Sequence, residues 1–249
     1  MSGAVEQFDE GARRRAERFG RTVVRRDELV RHPVYTRLLH WAVAIFFILA
    51  LLSGFAIYSP WLYRALTPLF GGGPMTRFLH PWFSIGFVVF FALQFLNWLG
   101  AMRWTQDDRR WIGQMREYVN NTAEVEPEYV DFFNGGQKLY FWAIVVSALL
   151  FVVSGIPMWF PEFFGRIAVA ISYVLHDIAG LLMLGSFIVH VYEGTAAQPG
   201  TFTSMTRGTV TRRWAWTHHP AWYRRVTGRD PRADHDQARD RSAADARTQ

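Results

Sequence analysis

Residues 173–194 read YVLHDIAGLLMLGSFIVHVYEG. Asp177 and Glu193 are the only acidic or strongly basic side chains among these 22 residues. A run this long and apolar matches the roughly 20 residues that a helix needs to cross the hydrocarbon core of a bilayer. Two imidazoles, His176 and His190, interrupt it fourteen residues apart. Fourteen residues of helix advance about 21 Å and turn nearly four full times, so the two share one face at two depths. An ionisable side chain inside a span is costly, which makes it a hypothesis about function.

The rest of the chain has the same segregation. Half of the 249 residues are apolar, yet mean hydropathy is only +0.01, because charged ends flank an apolar middle. Hydropathy predicts four spans, at 39–58, 78–102, 139–160 and 167–192. Residues 1–38 hold nine Arg, 103–138 five basic residues and 194–249 ten Arg, against Arg64, Arg77 and Arg166 in the two other loops. By the positive-inside rule both termini and the middle loop are cytoplasmic. Trp and Tyr cluster at the span ends (Trp41, Tyr58, Trp61, Trp82, Trp98, Trp104, Trp142, Trp159, Tyr192), as interfacial belts do. The expected fold is all-α: an integral membrane four-helix bundle, N-in and C-in, occupying 31–226. Residues 1–30 and 227–249 are charged and weakly apolar, the composition of disordered extensions.

Composition also excludes chemistry. With no cysteine there is no disulfide, no thiolate zinc site, no c-type haem attachment and no cysteine-ligated iron–sulfur cluster in this chain. The net charge of +6 follows membrane topology, so a lipid bilayer rather than nucleic acid is the expected partner. The first thirty residues lack the apolar core of a cleavable signal peptide.

Topology sorts the span histidines by depth. His40 opens the first span and His190 closes the fourth, both at the cytoplasmic side. His80 opens the second span on the outer side, and His176 lies in the outer half of the fourth. Two pairs result, His40 with His190 and His80 with His176. Zinc or copper would lack ligands at two-histidine sites, whereas haem iron needs only two axial imidazoles. Two b-type haems stacked at two depths fit the pattern, and bis-histidine ligation favours electron transfer over oxygen chemistry. His32, His218, His219 and His235 fall in polar segments and are expected at the surface.

Arg37 and Arg77 each precede a span-opening histidine by three residues, one turn nearer water on the same face. They are suited to haem propionates, or simply to snorkelling at the interface. Gly54, Gly86, Gly155 and Gly180 lie within spans, where a macrocycle or a neighbouring helix can approach. A proton-relaying transporter and a haem-free membrane anchor use the same four-span frame, and the residues so far leave both open.

Several stretches together resemble a known family: RLLHW (37–41), RFLHP (77–81), NGGQK (134–138) followed by YFW, VLHDIAG (174–180), IVHVYEG (188–194) and RRWAWTHHPAWYRR (212–225). The chain resembles the gamma (cytochrome b) subunit of membrane-bound respiratory formate dehydrogenases from about Arg37 to Val226. NGGQK separates it from the cytochrome b subunits of hydrogenases and other molybdoenzymes, which remain the alternative. The resemblance implies an outer haem on His80 and His176 and an inner haem on His40 and His190. It implies a quinone pocket at Asn134, Gly136 and Gln137, beside His190. It also implies an iron–sulfur beta subunit, a molybdenum- or tungsten-containing alpha subunit that oxidises formate, and a place in the bacterial inner membrane. Without it, NGGQK reads as a Gly-rich turn with an Asn cap before a helix. The basic, aromatic 212–225 segment is expected to dock at the membrane interface.

Overall fold

The computed structural model describes residues 27–116, 120 and 126–233. Four helices are long and apolar enough to cross a membrane: Val34–Tyr58, Gly73–Trp98, Gly135–Trp159 and Arg166–Tyr192, the last continued by a π turn over Glu193–Ala197. All four predicted spans are present. The first, third and fourth keep their predicted ends within two residues, whereas the second stops at Trp98. The first three begin four or five residues before their predicted starts, because Val34–Leu39, Gly73–Arg77 and Gly135–Lys138 continue the helices beyond the apolar runs. At the third, the side chains of Asn134 and Gln137 satisfy the helix end, which hydropathy does not register.

Local chemistry sets the breaks. Ser59 accepts from the Leu62 amide and Pro60 follows it, so the first span gives way to a short helix, Pro60–Leu66. Gly71 and Gly72, at φ 86° and 98°, then turn the chain into the second span. Pro81 lies inside that span, directly after His80, and Pro157 inside the third. Membrane helices tolerate such breaks when neighbouring groups take up the freed backbone.

The chain divides into two compact units. One comprises residues 35–100 and 142–189 and holds most of all four spans. Its interior is aromatic and small. Phe46 stacks on Phe90 at 5.4 Å, Phe47 meets Phe87 and Phe187, and Ala56, Ser53 and Ala179 are fully buried. Leu38, Leu149, Val153 and Leu181 are all at least 60% exposed, a surface that suits lipid rather than water.

The other unit comprises the described parts of 1–34, 101–141 and 190–249. Strand β1 (Glu28–Val30) pairs antiparallel with β2 (Thr209–Thr211), with Leu29 opposite Val210. β1 thus takes in residues whose composition resembled a disordered extension, while 1–26 and 234–249, with His235, lie outside the described residues. The core consists of Leu29, Val210, Trp214, Ala215, Trp216, Trp222 and Tyr223. Short helices Arg212–His218 and Pro220–Thr227 deliver most of it. The expected interfacial docking of 212–225 is therefore corrected: Trp214, Trp216, Trp222 and Tyr223 face inward, and Arg213, Arg224 and Arg225 face out.

The surface placement expected for the polar-segment histidines is corrected too. His32 and His219 are buried and His218 is half-buried. The Arg31 guanidinium lies 3.8 Å from the Phe132 ring centre and 4.5 Å from that of Trp222. It donates to the Phe132 carbonyl and, at 3.2 Å, to His219 Nε2. His219 Nδ1 donates to the Asp131 carbonyl at 2.6 Å. Burial pushes Arg31 down to about 9, so it stays charged at neutral pH, among aromatic faces that offset its desolvation. Burial and this cation hold His219 well below the usual imidazole range and His218 at about 4.

Candidate functional site

His80, on the second span, and His176, on the fourth, come together. Their ring centres are 6.4 Å apart, with the planes inclined at 66°. Ser53 Oγ of the first span lies 2.9 Å from His80 Nδ1, and Ser154 Oγ of the third lies 2.9 Å from His176 Nδ1. Each serine also donates to its own helix, Ser53 to the Leu49 carbonyl (2.7 Å) and Ser154 to that of Leu150 (2.6 Å). The glycine after each serine faces the same ring. A Cβ on Gly54 would lie 3.2 Å from His80 Cε1, and one on Gly155 would lie 3.9 Å from His176 Cε1. Gly86 has another duty, since the Phe46 ring packs against it, and a Cβ on Gly180 would meet nothing within 4 Å.

The histidine spacing did not identify these serines. The signal was LLSGF (51–55) in the first span and VVSGI (152–156) in the third. A hydroxyl beside a glycine recurs at one level of two helices.

His40 belongs to the bundle unit, where its ring meets Trp41 edge-on at 5.4 Å. Asn97 Nδ2 donates to Thr36 Oγ1 at 3.2 Å, which sets the register of the first span against the second. One turn from Thr36 is His40, and three residues before Asn97 is Gln94. Gln94 is 4% exposed, and neither its Oε1 nor its Nε2 has a partner among the described residues. It follows His80 by fourteen residues, the spacing that separates His176 from His190. His190 belongs to the other unit, where Tyr140 stacks flat on it at 5.0 Å and 11°.

NGGQK lies within the start of the third span rather than before it. Asn134 is the cap: the Gln137 amide donates to its Oδ1 (2.8 Å), and Gln137 Oε1 accepts from the Asn134 amide (3.1 Å). This reciprocal pair has capping-box geometry. Asn134 Nδ2 donates to Glu126 Oε1 (3.2 Å), and Trp111 Nε1 to Glu126 Oε2 (2.7 Å). Burial pushes the Glu126 carboxyl up, against the pull of these two donors. A Cβ on Gly136 would come within 2.7 Å of the Trp111 ring, so a bare backbone is required there. Lys138 and Asp108 form a buried ion pair at 2.7 Å. Of the three residues tied to a quinone by resemblance, Gln137 keeps one polar atom outside this network, Nε2.

Residues 31–208 match the model of the family described as prokaryotic cytochrome b561. The chain belongs to that family. Its relatives include the formate dehydrogenase cytochrome b556(fdo) subunit of Escherichia coli strain K12, 33% identical over 81% of this chain and 95% of the relative. The nitrate-inducible formate dehydrogenase cytochrome b556(Fdn) subunit of the same strain is 32% identical over 80% and 91%. The formate dehydrogenase cytochrome b556 subunit of Haemophilus influenzae strain Rd is 28% identical over 79% and 82%.

A cytochrome b of this family implies haem b, and the His80–His176 pair fits it. Imidazoles sharing one metal would have ring centres about 6.2 Å apart, from metal–nitrogen bonds of about 2.0 Å and about 1.1 Å from nitrogen to each ring centre. The observed 6.4 Å meets that requirement. Two imidazole donors suit an iron whose other ligands come from a porphyrin. Arg37 is half-buried in the first span, one turn before His40, and Arg77 is exposed in the second, one turn before His80.

Proposed function

We propose that this cytochrome b is the membrane subunit of a respiratory formate dehydrogenase, carrying electrons from an iron–sulfur partner at the outer face to quinone near the cytoplasmic face of the inner membrane. The observation that carries the haem part is the His80–His176 pair, spaced for one iron, with both Nδ1 atoms held by serines. That the relatives are formate dehydrogenase subunits supports formate as the electron source. When bound between His80 and His176, haem b would supply a one-electron carrier.

The chain's own residues then have distinct duties. His80 and His176 hold the outer haem, and His40 and His190 a second, inner one. Arg37 and Arg77 pair with propionates. Gln137 Nε2 donates to a quinone carbonyl near His190, while Asn134 and Gly136 fix the turn that presents it. With both termini and the middle loop cytoplasmic, quinone reduction draws its two protons from the cytoplasm. Electrons cross the membrane inward, so charge is separated without a proton pump. Formate oxidation itself belongs to a molybdenum- or tungsten-containing alpha subunit, and a beta subunit with iron–sulfur clusters is the donor.

The family match alone also suits the cytochrome subunit of a hydrogenase or another molybdoenzyme, and the relatives' names favour formate. A proton relay is disfavoured because both Nδ1 atoms of the pair are committed to serines that bond their own helices. The test is a reduced-minus-oxidised spectrum of the purified complex. Two b-type haems per chain are expected, with the outer lost in His80→Ala or His176→Ala and the inner in His40→Ala or His190→Ala. Absence of b-type absorption overturns the electron-transfer reading, and haem that formate cannot reduce overturns the choice of partner.

A further inference from the structure

We infer that Ser53 and Ser154 are matched positioning residues that fix the tautomer and orientation of the two ligands to the haem between His80 and His176. This rests on the haem reading above and adds to it the reason the two rings point as they do. A serine hydroxyl has one proton. Ser53 spends it on the Leu49 carbonyl and Ser154 on the Leu150 carbonyl. Each oxygen can then only accept from the neighbouring ring, so Nδ1 of His80 and of His176 carries the hydrogen. The lone pair is left on Nε2, the nitrogen that would hold the iron.

The two devices are built alike. Both serines are fully buried, both are followed by glycine, and both sit on a span that supplies neither histidine of this pair. The glycine gives the ring its room and the serine its direction, once from the first span and once from the third. A metal-bound histidine commonly donates its second N–H to such a partner, which raises its basicity as a ligand. A more basic imidazole favours the oxidised iron. Ser53 and Ser154 therefore lower the potential of this haem and leave the other unaffected.

The experiment compares Ser53→Ala, Ser154→Ala, the double variant and Ser53→Thr with the unaltered chain in solubilised membranes. It reads haem content, low-temperature electron paramagnetic resonance and the two midpoint potentials. Each alanine is expected to shift one haem's redox equilibrium threefold to tenfold toward the reduced form, tenfold being about 59 mV. The double variant adds the two shifts, the second haem keeps its potential, and the threonine, which retains the hydroxyl, restores the original value. Loss of the haem in the alanine variants with retention in Ser53→Thr has the same meaning. An unshifted potential in both single alanine variants overturns the proposal. So does loss of haem in alanine and threonine variants alike, which would make the site one of packing. His80→Ala in the same series separates this from the haem reading itself: if it keeps both haems, the site is misassigned whatever the serines do.

Discussion

At the residue scale, Gln137 caps a helix and, in the proposed function, also donates to quinone from the same side chain. Its Oε1 accepts from the Asn134 amide, while its Nε2 stays outside the capping network. Glutamate at this position keeps the capping acceptor and removes the donor. Gln137→Glu is therefore expected to leave the melting temperature within about 2 °C, while the apparent KM for quinone rises about fivefold, the value of one neutral hydrogen bond. A fall in stability with unchanged KM would make Gln137 a cap and nothing more. His219 gives a pH dependence of definite sign. Its folded pKa lies below the ordinary 6.5. Above pH 6.5 the ring is neutral folded or unfolded, and its contribution is complete. As pH falls through 6.5 the unfolded chain takes up a proton that the folded chain refuses, so stability is lost. His218, held at about 4, acts in the same direction. Near-UV circular dichroism of the Trp214, Trp216 and Trp222 core should show a lower melting temperature at pH 5 than at pH 7. The slope should shrink in His219→Gln, whose amide can still accept from Arg31 and donate to the Asp131 carbonyl.

At the element scale, two Ser-Gly pairs on the non-ligand spans frame the histidine pair unequally. Alanine in place of Gly54 must push on a ring atom at 3.2 Å, whereas Gly155→Ala makes ordinary contact at 3.9 Å. Gly54→Ala is expected to perturb the haem proposed between His80 and His176, seen as a changed resonance spectrum and reduced occupancy. Gly155→Ala should leave it intact and gain about 0.5–1 kcal/mol from helix propensity. Equal effects would contradict the geometry. These elements also show what could be read from residue order. The four spans were legible because apolar length is a property of a single helix. Ser53 and Ser154 were not, because a buried serine bonding its own helix looks like ordinary packing until the facing helix supplies a ring. Likewise the Trp-rich 212–225 segment looked interfacial because its burial depends on Arg31 and Leu29, nearly two hundred residues earlier. Asn134 was legible as a cap from local chemistry alone. Its bond to Glu126, and the Trp111 ring that bars a side chain at Gly136, needed the fold.

At the scale of the whole molecule, the proposed function depends on which end of the bundle faces which compartment, because reversal would put the proposed quinone reduction on the wrong side for charge separation. Orientation rests on charge: the loops holding Arg64, Arg77 and Arg166 carry one basic residue or two, against five in 103–138 and ten in 194–249. Basic residues flanking a span resist translocation, so this imbalance sets direction. The absence of cysteine makes the test clean, since any introduced thiol is the only one in the chain. Arg64→Cys and Glu162→Cys report on the two sparsely charged connections, Arg109→Cys and Arg213→Cys on the basic ones, and all four positions are exposed. A membrane-impermeant maleimide is expected to label positions 64 and 162 in intact spheroplasts, and positions 109 and 213 only after lysis. The opposite pattern would reverse the proposed orientation. Quinone protonation would then draw from the outer compartment, and formate oxidation could no longer build a membrane potential by this route.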